Sequence, residues 1–153
     1  MDDEHVASED LDAFEHNMGD PELVTEGPEH PQLTEEATAT NAGLLVQLCS
    51  AAEQHYGLRV AECDAPGAPA RWGPVHRVHA TGSLHYAHRA ADISGNETNM
   101  RRFGAWASDT YGPRLAELIH NPGSSVKNGR HVPSTFWGAA TWNAHRNHVH
   151  LAI

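Results

Sequence analysis

The hydrophobic pattern divides the chain near residue 40. Before that point Leu11, Phe14, Leu23, Val24 and Leu33 are isolated among acids and Pro21, Pro28 and Pro31. They are too sparse to offset the entropy lost on ordering. Residues 1–39 are therefore expected to form a largely disordered arm with one short helix around Leu11 to Asn17. Beyond it, Leu44, Leu45, Leu48, Ala51 and Ala52 recur at helical spacing, with Thr40 or Asn41 as N-cap and Gly57 as the stop, which predicts a helix over Ala42 to Tyr56. Leu58 to Cys63 reads as a strand, followed by an Ala/Pro/Gly loop over Asp64 to Pro74. Short extended pieces are expected at Val75 to Val78 and Ala90 to Ile93. Asn96 or Thr98 opens a second helix carrying Met100, Phe103, Trp106 and Ala107 and ending near Tyr111. Leu115 to His120 and Val149 to Ile153 read as strands, and Asn121 to Gly138 as a polar loop. The order of elements predicts one α+β domain over residues 40–153, a small antiparallel sheet flanked by helices.

Charge sharpens the division. The chain carries 20 acids and 10 Lys or Arg, but 13 of the acids and none of the bases lie in residues 1–40. The remainder is close to neutral, with no basic stripe to neutralise phosphates, so nucleic acid is excluded as an expected partner. No apolar run reaches the roughly 18 residues of a membrane span, and Met1-Asp2-Asp3-Glu4 has the wrong sign for a secretory leader. Neither membrane insertion nor a signal peptide is expected. Cys49 and Cys63 lack CxxC spacing and read as buried free thiols. Phe103 and Trp106 are assigned to the core, Arg101 and Arg102 to a solvated helix face. Trp72, Trp137 and Trp142 fall in loops and are candidates for lining a cleft.

The unusual feature is 13 histidines, most of them after residue 75. His5, His16, His30 and His55 are read as ordinary surface residues. The informative stretches are Gly82-Ser83-Leu84-His85-Tyr86-Ala87-His88-Arg89-Ala90-Ala91-Asp92-Ile93 and His145-Arg146-Asn147-His148-Val149-His150. On a strand, His148 and His150 share a face with Cα atoms roughly 6.6 Å apart. His85 and Asp92 would be about 10.5 Å apart along a straight helix, too far for one ion. They can share one only if the chain bends between them. With His150 they then supply two imidazoles and a carboxylate, the three protein ligands of a catalytic zinc site.

These two stretches resemble the zinc peptidases of the D-Ala-D-Ala carboxypeptidase and murein endopeptidase group, including phage endolysin peptidase domains, whose signature reads S-x-H-x-x-G-x-A-x-D and later H-x-H. Ser83, His85, Ala90 and Asp92 match the first part, His148 and His150 the second, and the likeness spans about residues 42–153. The resemblance implies a Hedgehog/DD-peptidase-like fold and a Zn(II) held by His85, Asp92 and His150. It makes His148 the catalytic histidine, with His145 beside it in H-x-x-H-x-H, and Ser83 and Arg77 candidates for substrate binding. The implied activity is hydrolysis of a peptide bond in bacterial peptidoglycan, by a protein made in the cytoplasm and acting at the cell wall as a phage lysin or virion-associated hydrolase.

The chain departs from the pattern in two places. His88 stands where the group prefers Gly, which requires His88 to avoid or to accept a positive φ. Many relatives carry a carboxylate base just before the final histidine, whereas this chain has Asn147 and His148. The base role then falls to His148 or His145. Otherwise the chain is a catalytically silent zinc-binding module of the wall or virion. A zinc amidase cutting the sugar-to-peptide bond is a further reading.

Overall fold

The computed structural model describes residues 30–153, of which Leu33–Ile153 form one compact unit. The expected helix at Leu11 to Asn17, and His5 and His16, lie outside the described residues. Residues 33–39 make turns leading into the first helix. There Leu33 packs against the core, and buried Thr38 donates its hydroxyl to Thr34 O at 2.9 Å.

Helix α1 spans Asn41–Tyr56, with Thr40 Oγ1 accepting the Gly43 N–H at 2.9 Å and Gly57 ending the helix at φ 66°. Helix α2 spans Glu97–Tyr111 and is capped by Asn96, whose side chain accepts from Asn99 N at 3.1 Å. A third, short helix, α3, covers Ala139–Ala144. Six strands, β1 (Arg59–Ala61), β2 (Ala90–Ser94), β3 (Glu117–Ile119), β4 (Ser125–Lys127), β5 (Arg130–His131) and β6 (Val149–Ala152), form one antiparallel sheet in the order β1-β2-β6-β3-β4-β5.

Because side chains alternate along a strand, this sheet has two different faces. One carries Val60, Ala91, Ile93, Leu118, Val126, Val149 and Leu151. These join Leu44, Leu45, Leu48 and Tyr56 of α1 and Met100, Phe103 and Trp106 of α2 in a single buried cluster. Tyr56 and Phe103 meet edge to face at 5.6 Å, and the Arg102 guanidinium covers Tyr56 at 5.3 Å, so that arginine does more than face solvent. The other face carries Asp92, His150, Ile119 and Glu117 on the three middle strands. In register, Asp92 stands opposite His150 and His150 opposite Ile119.

Three expectations need correction. Val75 to Val78 forms no strand. Trp72 does not line a cleft. It is buried in the core, with its indole N–H on Glu53 Oε2 at 2.7 Å. The stretch Asn121 to Gly138 is not a plain loop. Asn128 (φ 51°) and Gly129 (φ 79°) make a tight turn that folds β4 and β5 into a hairpin, the outcome Asn-Gly favours because both central residues need positive φ. Cys49 and Cys63 are buried free thiols, and burial pushes the Cys49 thiol well above its usual range. Among the described residues no helix is long and apolar enough to cross a membrane.

The two-faced sheet predicts a sharp contrast along β6. Leu151→Ala should destabilise the protein by about 2–5 kcal/mol, read as a lower urea midpoint with an unchanged slope. A loss below about 1 kcal/mol would place Leu151 outside the core, since cavity formation at a buried leucine costs more than that.

Candidate metal centre

The chain does bend between His85 and Asp92. Residues 84–89 close a Schellman turn, with His88 N donating to His85 O at 3.1 Å and Arg89 N to Leu84 O at 3.0 Å. Such a turn needs a left-handed residue at its end, and His88 takes that place at φ 61°. This is why glycine suits the position. His88 accepts the strained conformation, with its ring on Asp64 Oδ2 at 2.8 Å. The turn delivers the chain into β2 with His85 folded back over Asp92.

His85 Nε2 lies 3.2 Å from Asp92 Oδ1, and His150 Nδ1 lies 3.5 Å from the same oxygen. The His85 and His150 rings are 5.2 Å apart. The structure thus brings His85, Asp92 and His150 together, all three buried. Each ring is held from behind. His85 Nδ1 donates to the backbone carbonyl of Glu62 at 3.3 Å, which leaves Nε2 as the atom facing Asp92. His150 Nε2 donates to Glu117 Oε1 at 2.8 Å, which leaves Nδ1 as the atom facing Asp92. Metal-binding histidines are oriented in this way by a second hydrogen bond. With His85 Nδ1 committed to a carbonyl, a lone pair on Nε2 and a carboxylate oxygen oppose each other at 3.2 Å, and a proton or a cation has to lie between them.

Two further residues belong to the cluster, and no sequence motif singles them out. Glu62, 1% exposed at the end of β1 with φ 55°, accepts from His79 Nε2 at 2.6 Å and forms an ion pair with Arg77, whose Nε lies 3.1 Å from Oε2. His79 stacks on His85 at 4.1 Å. One donor atom each from Glu62, His79, His85 and Asp92 lie within 4.8 Å of one another, and this buried group can hold a metal ion. Glu62 stands out in no motif; only the fold shows that β1 ends beside the site. His79 lies within the Val78 to Ser83 approach to the first motif, where its spacing carried no ligand pattern.

The cluster opens into a cleft of about 540 Å³. Its floor is Asp92, His150, Glu117 and Ile119; one wall is His79 to Ser83, the other Trp137 and the α3 segment to His145 and His148. Trp137 therefore lines this cleft, whereas Trp142 faces a separate polar hollow beside Ser108 and Asp109. Ser83 Oγ accepts from His85 N at 3.2 Å, so it supports the turn as well as lining the cleft. Arg77 is ion-paired with Glu62 and is not among the lining residues.

His145 and His148 sit side by side, with rings 4.6 Å apart. His145 Nδ1 donates to Thr141 O at 2.7 Å, and His148 Nδ1 donates to Asn147 Oδ1 at 2.8 Å. Each therefore keeps Nε2 free to exchange a proton; that of His148 lies 3.9 Å from Asp92 Oδ1. Burial pushes the His148 pKa down to about 4 and lowers that of His145, so His148 is neutral at pH 7. Burial also works against charge on Asp92 and His150, but hydrogen bonding wins at both. His150 and His85 hold the Asp92 carboxyl far below the usual range. Asp92 and Glu117 push His150 up to about 9. His150 in turn, with burial opposing and Lys127 adding, draws Glu117 down to about 2.

Two outcomes are expected. A cation that takes His150 Nδ1 displaces its proton, since that pKa of about 9 keeps the ring charged near neutrality. Calorimetry of metal loading in buffers of different ionisation enthalpy should show about one proton released per ion; a heat independent of buffer would exclude His150 as a ligand. At the bend, His88→Val should cost about 1–2 kcal/mol in melting experiments because a β-branched residue resists the left-handed region, while His88→Gly should fold at least as well as the wild type. Equal stability of the Val and Gly variants would refute the role given to the turn.

The chain matches no protein-family model, no curated protein and no solved structure.

Proposed function

We propose that this chain is a zinc peptidase that hydrolyses a peptide bond of bacterial peptidoglycan, with a Hedgehog/DD-peptidase-like fold and a place among phage lysins or virion-associated wall hydrolases. The observation that carries the reading is the convergence of His85 Nε2, Asp92 Oδ1 and His150 Nδ1 at the floor of an open cleft, beside two further histidines. Two imidazoles and one carboxylate, with both rings anchored from behind, suit Zn(II) in its three-ligand catalytic form. When bound, Zn(II) supplies Lewis acidity toward a carbonyl oxygen and toward water.

The chain's own residues account for the rest. Neutral His148 accepts a proton at Nε2, the nitrogen that its bond to Asn147 leaves free. His145, tied to Thr141 O, offers a second Nε2 through which the proton reaches a leaving amine. Asn147 thus has a use where many of the zinc peptidases that the chain resembles carry a carboxylate: it sets the tautomer of its neighbour. Trp137 and the Ala80 to Ser83 segment form the walls along which an extended peptide lies. Walls of mixed polar and apolar character, with neither Lys nor Arg among them, suit a peptide chain better than a polyanion.

One observation favours a second reading, a catalytically silent zinc-binding module. The two carboxylates nearest the site, Glu62 and Glu117, are both engaged by cationic or imidazole partners, so neither stands free as a base.

Purified peptidoglycan treated with the protein should yield new amino groups that a chelator abolishes, and mass spectrometry of the fragments should locate the bond. Appearance of amine only from the sugar-linked lactyl amide would indicate the amidase reading instead. His148→Ala should keep its zinc and lose roughly 100- to 1000-fold in rate, whereas His150→Ala should lose the metal. A fully active His148→Ala protein overturns the mechanism, and a zinc-loaded wild type that releases no amine leaves the silent module.

A further inference from the structure

Glu117 has no counterpart in the motifs that single out His85, Asp92 and His150, yet it is the cleft carboxylate nearest His150. It arrives from β3, where Ile119 is the cross-strand partner of His150 and Glu117 lies two residues away on the same face. That diagonal places its side chain within reach of the imidazole. The carboxylate is fully employed: Oε1 accepts from His150 Nε2 at 2.8 Å, and Oε2 accepts from Lys127 Nζ at 2.7 Å. Lys127 is the direct cross-strand partner of Glu117 on β4 and also lies over the Trp137 ring at 6.0 Å. The chain His150, Glu117, Lys127 therefore crosses three adjacent strands on the open face of the sheet.

We propose that Glu117, anchored by Lys127, is the positioning residue that turns His150 into a metal donor, accepting its Nε2 proton so that Nδ1 is the nitrogen offered beside Asp92. The inference rests on the zinc reading above. A neutral imidazole can carry its proton on either nitrogen and can rotate to present either one. Only one combination sets a lone pair beside Asp92 Oδ1, and the Glu117 carboxylate selects it by binding the other nitrogen. His85 receives the same service from a backbone carbonyl, which no side-chain substitution removes. His150 depends on a side chain, and that side chain depends on a lysine. Charge supports the arrangement as well. Asp92 and Glu117, the two carboxylates on the cleft floor, supply negative charge that suits a divalent cation, with Lys127 offsetting part of that on Glu117.

The alternative role for Glu117 is that of the carboxylate base that the second motif lacks, and the two roles differ in what they do to metal affinity. Zinc affinity of the full chain should be measured by competition with a chromogenic chelator for the wild type, Glu117→Ala, Glu117→Gln and Lys127→Met. Loss of an outer hydrogen-bond partner of a metal-binding histidine lowers affinity by about 10- to 100-fold, and Glu117→Ala should fall in that range. Glu117→Gln should lose less, because its amide oxygen still accepts from Nε2. Lys127→Met should weaken binding in the wild type and have little further effect in the Glu117→Ala background, since it acts through the carboxylate. Nitrogen–proton correlation spectra of the zinc-loaded protein should show His150 protonated at Nε2 in the wild type and lose that signature in Glu117→Ala. Wild-type zinc affinity and an unchanged His150 tautomer in Glu117→Ala would overturn this proposal while leaving the zinc peptidase intact. A wild-type chain that binds no zinc would overturn both.

Discussion

The pairing of β2 with β6 is the constraint on which the site depends. It sets Asp92 opposite His150 and, one step along, Ala91 opposite Leu151 and Ile93 opposite Val149. The same register serves both faces: burial of Ile93, Val149 and Leu151 beneath the two long helices fixes it, and Asp92 and His150 emerge on the far side as a consequence. A slip of one residue would turn Leu151 into the cleft and His150 into the core. The hydrophobic effect thus specifies the position of polar chemistry that it does not itself touch. The strength of that specification comes from the helices, which cover Ala91, Ile93, Leu118, Val149 and Leu151 on the inner face of the middle strands.

The parts of this arrangement differ in how plainly the sequence announces them. Both long helices are legible because cap, periodicity and stop agree at Thr40 and Gly57 and again at Asn96. β2 and β6 are legible as short apolar runs, and His148 and His150 as a spacing of two. The hairpin β4–β5 was hidden because its strands are short and polar, so its one local signal was the Asn128-Gly129 pair. Val75 to Val78 looked extended by composition alone, but with no strand beside it the segment has no partner for its backbone, and Val78 lies in water. The burial of Trp72 is not legible because a loop tryptophan has no periodicity to show which way it turns. Glu62 and Glu117 illustrate the general difficulty. Each becomes important through a neighbour far along the chain, and an isolated acid at the start or just past the end of a short strand carries no pattern that points across the sheet.

Once the residues are assembled, orientation matters as much as proximity. Four imidazoles at the site each have a hydrogen bond that fixes the use of one nitrogen: the Glu62 carbonyl for His85, the Glu117 carboxylate for His150, the Thr141 carbonyl for His145 and the Asn147 amide for His148. A histidine held in this way offers one defined donor atom instead of two interchangeable ones, which lowers the entropy that must be given up when a cation or substrate arrives. The electrostatic sorting follows the same division. His150, between two carboxylates, favours the charged ring, while His148, half-buried beside an amide, favours the neutral one. Two residues apart on one face, the same side chain is prepared for opposite tasks.

The strand order has a consequence for how the molecule comes into being. β6 follows every other strand in the chain, yet it lies in the middle of the sheet, between β2 and β3. Until it inserts, β1-β2 and β3-β4-β5 are two separate ribbons, each with an inner edge of unsatisfied backbone groups. Asp92 belongs to one ribbon and Glu117 to the other, and His150 arrives with the strand that joins them. Closing the sheet and completing the cluster are therefore a single event. A partly folded chain would have exposed edges prone to pairing with other molecules and no cluster to show for it. A cation that binds only the finished arrangement would draw the population toward closure and so act as a fastener for the central strand.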